Sequence, residues 1–470
     1  MLASVASVAL SGCAGFLRPD GDALLPPEVS SSIPERWTQI SAATTEAATG
    51  WLDDLQSKEL KTLVDRALDA NQDLRGAAAR VRSARARARI QGADLLPSLA
   101  ANFDGSRSER LRGANFQNTL TNQYQLGFAS SWEFDLWGRL ANQKNAARKE
   151  LQATTADLHA ARLSLAADVT RSAVQLLAAD RQITLTRGNL ESLESNLEIL
   201  DANLEAGVAE DRMGLDIALA RADVARSKAT LQANLRTADT ARRRLEILLG
   251  DYPQGALESL TEFPGATRPV PVGLPSELLL RRPDLIAAEL RADAALDDIA
   301  ATRKALLPSL SLNGSAGTST TGDLDLLFDE RALVWNIAGS LAQQLFQGGK
   351  LRATIDEAKA EAEVIAARYA QTALQAFSEV EVSLAAEAFY IAQESQLRIA
   401  ADEASRAAAL AVTRYENGLV EILTVLDSQR RAFEFRSSLL EITSRRIQNR
   451  IDLYLALGGD FDSVPTQLAP

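Results

Sequence analysis

The residues that could do chemistry in this chain are limited by its single cysteine, Cys13, and its single histidine, His159. A disulfide within the chain is excluded, and so is a metal site built from cysteine and histidine. His159 lies in a run with a helical pattern, where packing or surface exposure is favoured over a role as a catalytic base. The 62 acidic residues still allow acid–base catalysis by paired carboxylates. The net charge of −12 argues against a nucleic acid partner, because phosphate neutralisation needs a basic surface.

Cys13 follows Leu10, Ser11 and Gly12 at the end of an apolar N-terminal segment. This segment looks like a bacterial lipobox, in which the cysteine thiol is lipidated and becomes the new N-terminus. We therefore expect residues 1–12 to be a lipoprotein signal segment and the covalent lipid on Cys13 to be the only cofactor. Because the apolar run is short and no Lys or Arg precedes it, we also expect the true start codon to lie upstream.

Asp427 and Arg430 are the second group with possible chemistry. With Leu423 they lie four and three residues apart, on one helical stripe that is separate from the apolar stripe through Ile422 and Val425. Taken alone, this spacing favours an exposed ion pair of small energetic value. If several copies of the chain surrounded one axis, Asp427 would instead form a ring of like charges that must hydrate, pair or bind cations.

The element that carries this stripe follows a very long predicted helix. No Gly or Pro occurs between Lys350 and Asn417, and the stretch is rich in the strongest helix formers. One unbroken helix of this length would reach about 100 Å. Gly418 then predicts a turn, after which the helical pattern resumes. The segment 350–457 is therefore a predicted helical hairpin with its tip near Gly418.

An internal repeat predicts a second hairpin of the same kind. The run LLPSL at 95–99 recurs at 306–310, and Gly207 recurs as Gly418, each at an offset of 211 residues. The first hairpin is predicted at 140–250 with its tip near Gly207, although Gly188 makes its first helix less secure. The predicted divisions are a lipid-anchored extended linker at 13–50, repeats at 51–262 and 276–459, a linker at 263–275 and a tail at 460–470.

Each repeat also contains two segments in which apolar residues alternate with polar or small ones. These half-exposed strands are predicted at about 97–107, 122–135, 308–320 and 331–343. Their lengths suit a tilted crossing of a bilayer. Four strands cannot close a barrel, and lipid does not tolerate an open sheet edge, so three copies would have to supply twelve strands. A soluble four-stranded domain with one wet face is the alternative.

Four motifs together resemble the TolC-like outer-membrane efflux proteins, and specifically the lipoprotein (NodT/OprM-type) branch of resistance-nodulation-division multidrug efflux systems. They are LSGC at 10–13, WLDDLQSKELKTLVDRALDANQDL at 51–74, LLLRRPDL at 278–285 and RYENGLVEILTVLDSQR at 414–430. The last two are specific only in combination. With the duplication, the resemblance extends from Cys13 to about Gly459.

The resemblance implies a mainly α protein with membrane β structure. In this TolC-like fold a tandem-duplicated protomer gives four strands of a trimeric 12-stranded β-barrel and part of a long periplasmic α-helical barrel. It implies a passive exit duct for small toxic compounds in the outer membrane of a Gram-negative bacterium, and no enzymatic activity. The implied partners are two further copies of the chain, a periplasmic adaptor protein, an inner-membrane resistance-nodulation-division transporter and outer-membrane lipid.

The resemblance also implies roles for single residues. The residues that match the periplasmic gate are Leu423, Asp427, Arg430 and Tyr415. The hairpin tips at Gly207 and Gly418 match the sites at which the adaptor docks. Thr424 stands where the non-lipidated prototype has an acidic gate residue, so a second acidic ring is not expected.

Several alternatives stay open from the sequence. The same fold serves as the exit duct of type I protein secretion systems, although the lipobox and the RRPDL motif favour drug efflux. A lipid-anchored coiled coil that spans the periplasm would explain the helices but not the four strands. A carboxylate-based hydrolase would need a compact pocket-bearing domain. Within RRPDL, Pro283 fits the first turn of a helix and Asp284 complements its dipole, so this motif is predicted to be architectural.

Overall fold

The computed structural model describes residues 34, 36–38, 50–112, 117–206, 213–265, 270, 272–273 and 275–459. Cys13, the predicted signal segment, Gly207 and the predicted tail lie outside the described residues, as do most of the linker at 13–50 and part of the linker at 263–275. Among the described residues, no helix combines the length and the apolar character that a membrane crossing requires.

The elements follow one another in two similar series. The helices are α1 Trp51–Asp54, α2 Lys58–Ala70, α3 Gln72–Ala93, α4 Arg139–Glu205, α5 Met213–Leu248, α6 Pro275–Arg281, α7 Pro283–Lys304, α8 Lys350–Glu416 and α9 Ile422–Ala456. The strands are β1 Ser98–Arg112, β2 Gln117–Phe134, β3 Ser309–Thr321 and β4 Leu333–Ala342. Each half therefore contains a helix, a pair of strands, a long helix and a returning helix.

The two long helices are continuous. Both α4 and α8 have 67 residues, and α4 passes through Gly188 without a break. The alanine-rich sequence tolerates this glycine because an isolated glycine costs a helix only about 1 kcal/mol relative to alanine. β4 begins two residues after the predicted start of its strand, since two short 3₁₀ turns occupy residues 324–328 and 330–332.

The chain divides into two compact units. The first contains the described residues among 79–156 and 286–371, and the second contains those among 32–78, 157–285 and 372–470. The sheet lies in the first unit, and the described residues around the two hairpin tips lie in the second unit. Both long helices contribute residues to each unit.

The sheet of the first unit is antiparallel, with the strand order β1-β2-β3-β4. Gly127 of β2 lies opposite Gly317 of β3, and the two backbones approach closely there. A Cβ atom on Gly317 would overlap the carbonyl oxygen of Leu126 and the Cα of Gly127. The pairing of β2 with β3 therefore requires glycine at position 317.

The main core of the second unit joins the start of the chain's helical part to its end. Trp51 of α1 stacks on Tyr454 of α9 with ring centroids 6.1 Å apart. The Tyr454 hydroxyl donates a hydrogen bond to Asp54 at 3.1 Å. The largest buried members of this core are Trp51, Leu55, Leu60, Leu176, Leu177, Leu245, Leu249, Ile451 and Tyr454.

The RRPDL motif is part of the same unit. Pro283 begins α7, as its preference for the first helical turn predicts. Arg282 is buried and donates to both oxygens of Asp284, at 3.0 and 2.7 Å, and to Glu379 at 2.7 Å. A further hydrogen bond runs from Arg282 to the carbonyl of Ala456 at 3.2 Å. This arginine therefore connects the start of α7 with α8 and with the end of α9.

Candidate functional site

The second hairpin turns at Gly418 through a compact hydrogen-bonded cap. Gly418 has a φ of +70°, in the left-handed region that glycine adopts without steric cost. Its N–H donates to the carbonyl of Tyr415, and the N–H of Leu419 donates to that of Arg414, each at 2.8 Å. This pair of bonds is the Schellman arrangement, which satisfies the last carbonyls of α8. The Asn417 side chain adds a bond to the Thr413 carbonyl at 2.7 Å.

One face of the start of α9 is fixed by apolar packing. The buried side chains form a cluster contributed by α4, α5, α8 and α9, with Leu193, Leu200, Ile217, Ala220, Val224, Ala411, Ile422, Val425 and Leu426 as members. Tyr415, at the end of α8, is half-buried against this cluster. The packing fixes the rotation of α9 about its axis, and so determines which residues face away from the cluster.

The opposite face carries the predicted gate residues. Leu423 is 37% exposed although it is a large apolar side chain. One turn further on, Asp427 Oδ1 accepts a hydrogen bond from Arg430 Nη2 at 2.6 Å. Arg430 Nη1 in turn donates to Glu434 Oε1 at 3.0 Å. The structure thus places Leu423, Asp427 and Arg430 on one exposed stripe, whereas Tyr415 lies apart from them on the packed side.

Asp427 has a second cationic partner, Arg431, that was not predicted from the sequence. Arg431 Nε donates to Asp427 Oδ2 at 2.8 Å, so each carboxylate oxygen accepts from a different arginine. The four-residue spacing between Asp427 and Arg431 was the available signal. The hydrogen bond from Arg430, together with the charge of Arg431, holds the pKa of Asp427 below its ordinary value of 3.8. The carboxylate is therefore charged at any physiological pH.

The first hairpin offers a counterpart that the repeat could have indicated. Asp216 lies 211 residues before Asp427, in the first turn of α5. Its Oδ1 atom is buried and has no hydrogen-bond partner among the described residues. A direct link between the hairpins is provided by Asn196 of α4, whose amide donates to Gln429 of α9 at 2.7 Å. Gln429 is therefore a polar cross-link between the two repeats.

The register of the sheet separates two chemically distinct faces. Directly opposite residues share a face, so one face collects the exposed apolar side chains. They are Leu99, Phe103, Leu120, Leu126, Phe128, Phe134, Leu312, Leu333, Trp335, Ile337 and Leu341, and Arg107 and Glu109 of β1 are charged exceptions on this face. The other face carries Asn102, Asp104, Gln125, Glu133, Ser311, Asn313, Asn336 and Ser340, with Val334 as an apolar exception. Such a sheet suits a boundary between lipid on one side and water on the other.

The comparisons with known proteins agree with this geometry. The family model described as outer membrane efflux protein matches residues 63–251 and again residues 274–459, once in each repeat. The chain is 34% identical over 441 residues to outer membrane protein OprJ of Pseudomonas aeruginosa, and this match covers 92% of this chain and 91% of OprJ. It is 31% identical over 467 residues to the cation efflux system protein CusC of Escherichia coli, with coverage of 96% and 97%.

A solved structure gives the same result. The open state of the MtrE outer membrane channel of Neisseria gonorrhoeae matches with a TM-score of 0.84 at 29% identity, and the match covers 95% of this chain and 99% of that chain. The predicted TolC-like fold class, the efflux function and the outer-membrane location are therefore confirmed. The family and these relatives are efflux proteins and channels. This chain belongs to the outer membrane efflux protein family.

Proposed function

We propose that three copies of this chain form the exit duct of a tripartite pump, which conducts small toxic compounds across the periplasm and the outer membrane. The observation that carries the proposal is the four-stranded sheet, whose edge strands β1 and β4 lack a partner strand among the described residues. An open edge is not tolerated in lipid, so the edges must pair between copies. Three copies give twelve strands, an even number typical of outer-membrane barrels.

Two further partners are proposed for the periplasmic side of the duct. A periplasmic adaptor protein docks at the hairpin tips near Gly207 and Gly418, and an inner-membrane resistance-nodulation-division transporter supplies the energy. The tight cap at Gly418 supports docking, because it presents a defined backbone surface at the end of α8. The relatives include an outer membrane protein of a solvent efflux pump in Pseudomonas putida, which fits a duct for small apolar compounds.

We further propose that Leu423, Asp427, Arg430 and Tyr415 form the periplasmic gate. The support is the exposed stripe on α9, which leaves Leu423 and both charges free of the apolar cluster. Around a threefold axis Asp427 would occur three times, and the arginines that hold it in each copy could exchange partners between copies. Tyr415 packs against the apolar cluster beside the turn, and this contact would couple movement of the tip to α9.

The lipid anchor is a separate proposal. Cys13 carries the covalent lipid, and its support is the lipobox-like sequence around it. Expression of the full-length gene with radiolabelled palmitate should label the wild-type protein and leave Cys13→Ser unlabelled. Labelling of both proteins would overturn the assignment.

The experiment that tests the duct and the gate is conductance in planar bilayers. We expect a small current from the wild type and a clearly larger one from the double variant Asp427→Ala/Arg430→Ala. The matched control is Glu441→Ala/Arg445→Ala, which removes a different exposed ion pair on the same helix, one whose residues are four positions apart. This control should conduct like the wild type, because its residues lie away from the proposed constriction.

The outcomes separate the two parts of the proposal. If both double variants conduct like the wild type, the duct stands and the gate assignment is wrong. If the control opens the channel as much as the gate variant, the effect comes from a weakened helix and the gate assignment is again wrong. If a verified, folded oligomer of the wild type gives no current, the exit-duct proposal itself fails.

A further inference from the structure

An arginine-rich face of α3 has no role in the duct and gate described above. This helix contains six arginines and one acidic residue. Arg82, Arg85 and Arg89 are exposed and lie three and four residues apart, so they form one stripe, called here the arginine stripe. Within the described residues none of the three has an ion pair or a side-chain hydrogen bond. Like charges at these spacings destabilise a helix, which favours a partner outside this chain.

A complementary acidic surface occurs on the first turns of α8. Glu357 and Glu361 are exposed and lie four residues apart, on one stripe. Neither of them has an ion pair or a side-chain hydrogen bond in the part of the chain that the structure describes. The opposite side of this helix is buried at Ile355 and Tyr369. The two glutamates therefore face away from the interior of the first unit.

The topology connects these two stripes to the two free edges of the sheet. Helix α3 leads into the edge strand β1, and α8 leaves the other edge strand, β4. When β4 of one copy pairs with β1 of the next, α8 of the first copy lies beside α3 of the second. The two helices are then antiparallel, because α3 runs towards the sheet and α8 runs away from it.

The positions along the helices also correspond. Measured from the helix ends next to the sheet, Arg85 and Arg82 lie about 12 and 16 Å along α3, at 1.5 Å per residue. On the same basis Glu357 and Glu361 lie about 10 and 16 Å along α8. We propose that the arginine stripe docks on Glu357 and Glu361 of a neighbouring copy. This interface sets the register with which β4 pairs with β1, and it rests on the trimer proposed above.

The test is a charge-reversal experiment on the full-length protein in detergent, with mass measured by light scattering. Arg82→Glu/Arg85→Glu should lower the apparent trimer association by about tenfold or more, since like charges opposed across an interface disfavour docking. Glu357→Arg/Glu361→Arg should do the same. The fourfold variant that combines both reversals should recover most of the trimer, which also shows that these substitutions are compatible with folding.

The matched control is Arg80→Glu/Arg87→Glu. These two arginines lie on the same helix and are also exposed. Their seven-residue spacing places them together on one stripe, and this stripe lies on a different side of the helix from the arginine stripe. The control changes the net charge by the same amount as the test variant, and it should retain the wild-type assembly. Equal losses in the control and in the test variant would overturn the proposed pairing, because they would reflect the charge of the helix as a whole.

Two further results would also overturn the proposal. Unchanged assembly of all reversal variants, from a wild type that is a trimer, would reject this interface and leave the duct intact. If the Arg82→Glu/Arg85→Glu variant assembles normally but loses binding to vesicles of phosphatidylglycerol and phosphatidylcholine, the arginine stripe contacts lipid phosphates instead. A wild type that is not a trimer would reject the proposed function as well, so the wild-type mass alone distinguishes the two failures.

Discussion

Replacing Arg282 with alanine should destabilise the protein far more than the same change at its neighbour Arg281. The Arg282 side chain is 11% exposed and is hydrogen-bonded to two carboxylates and one backbone carbonyl. Its loss leaves Asp284 and Glu379 without their shared cation. Arg281, in contrast, forms one ion pair within the described part of the chain, with Glu277 at 3.3 Å, and both of these side chains are more than a third exposed.

The magnitudes follow from burial. Breaking a fully buried ion pair costs about 3–5 kcal/mol. Asp284 and Glu379 are 39% and 41% exposed, and water can therefore stabilise part of the released charge. We accordingly expect Arg282→Ala to lower the free energy of unfolding by about 2–3 kcal/mol. Arg281→Ala should lower it by less than about 1 kcal/mol, as is typical of exposed pairs.

The assay is thermal unfolding followed by circular dichroism in detergent. The unfolding entropy is about 2.1 cal/mol/K per residue, so a chain of this size loses roughly 1 °C of Tm per kcal/mol. We expect Tm to fall by about 2–3 °C for Arg282→Ala and by less than about 1 °C for Arg281→Ala. Because every copy carries the change, joint unfolding of an oligomer leaves the expected shift the same.

Arg282→Lys is an informative intermediate variant. Arg282→Lys keeps the positive charge but cannot donate two parallel hydrogen bonds to Asp284, so it should recover only part of the lost stability. Two results would refute the reasoning. One is a Tm loss for Arg281→Ala that equals or exceeds the loss for Arg282→Ala, and the other is an Arg282→Ala protein as stable as the wild type.

Three further predictions concern the sheet, the turn and the gate. Gly317→Val should prevent insertion of the folded sheet into bilayers, because its side chain would occupy the space of strand β2; normal insertion would contradict this. Gly418→Ala should lose about 1 kcal/mol of stability in chemical denaturation, because residue 418 has a positive φ. Gly188→Ala should gain up to about 1 kcal/mol, because Gly188 lies inside a helix and an added Cβ would meet no described residue outside its own stretch of helix within 4 Å. Because the pKa of Asp427 is lowered, its ion pair with Arg430 persists above pH 3.8 and is lost only below that pH. Closed-state conductance should therefore stay constant from pH 7 to about 5, and a rise within that window would contradict the prediction.

Much of the fold could be read from local patterns. The absence of Gly and Pro after Lys350 predicted a helix that the structure extends from Lys350 to Glu416, one residue short of the predicted end. Alternation of apolar residues predicted all four strands, but β1 continues to Arg112 and β2 begins at Gln117, beyond the predicted bounds at 107 and 122, because polar residues in the first hairpin loop conceal the alternation. These inferences succeed because helix and strand periodicities are properties of neighbouring residues, and because the repeat at an offset of 211 residues presents each pattern twice.

The details of the candidate site depended on more than spacing. Leu423, Asp427 and Arg430 could be assigned to one stripe from the sequence, and the structure has them on one exposed face. Arg431 was missed although its spacing allowed it, since two neighbouring arginines compete for one carboxylate and only side-chain geometry shows that both bind. Gln429 could not be recognised as a cross-link because its partner, Asn196, lies in the other repeat.

The sequence by itself determined the elements, the duplication and the chemical character of each strand and helix face, because all of these arise from residues close together in the chain. Only the tertiary structure decided which arginine of RRPDL is buried, since that depends on Glu379 and Ala456, far away in the sequence. It also decided that Gly127 and Gly317 must both lack side chains, because two backbones approach there. Long-range packing brings such partners together, and contacts of this kind leave no periodic pattern in the sequence.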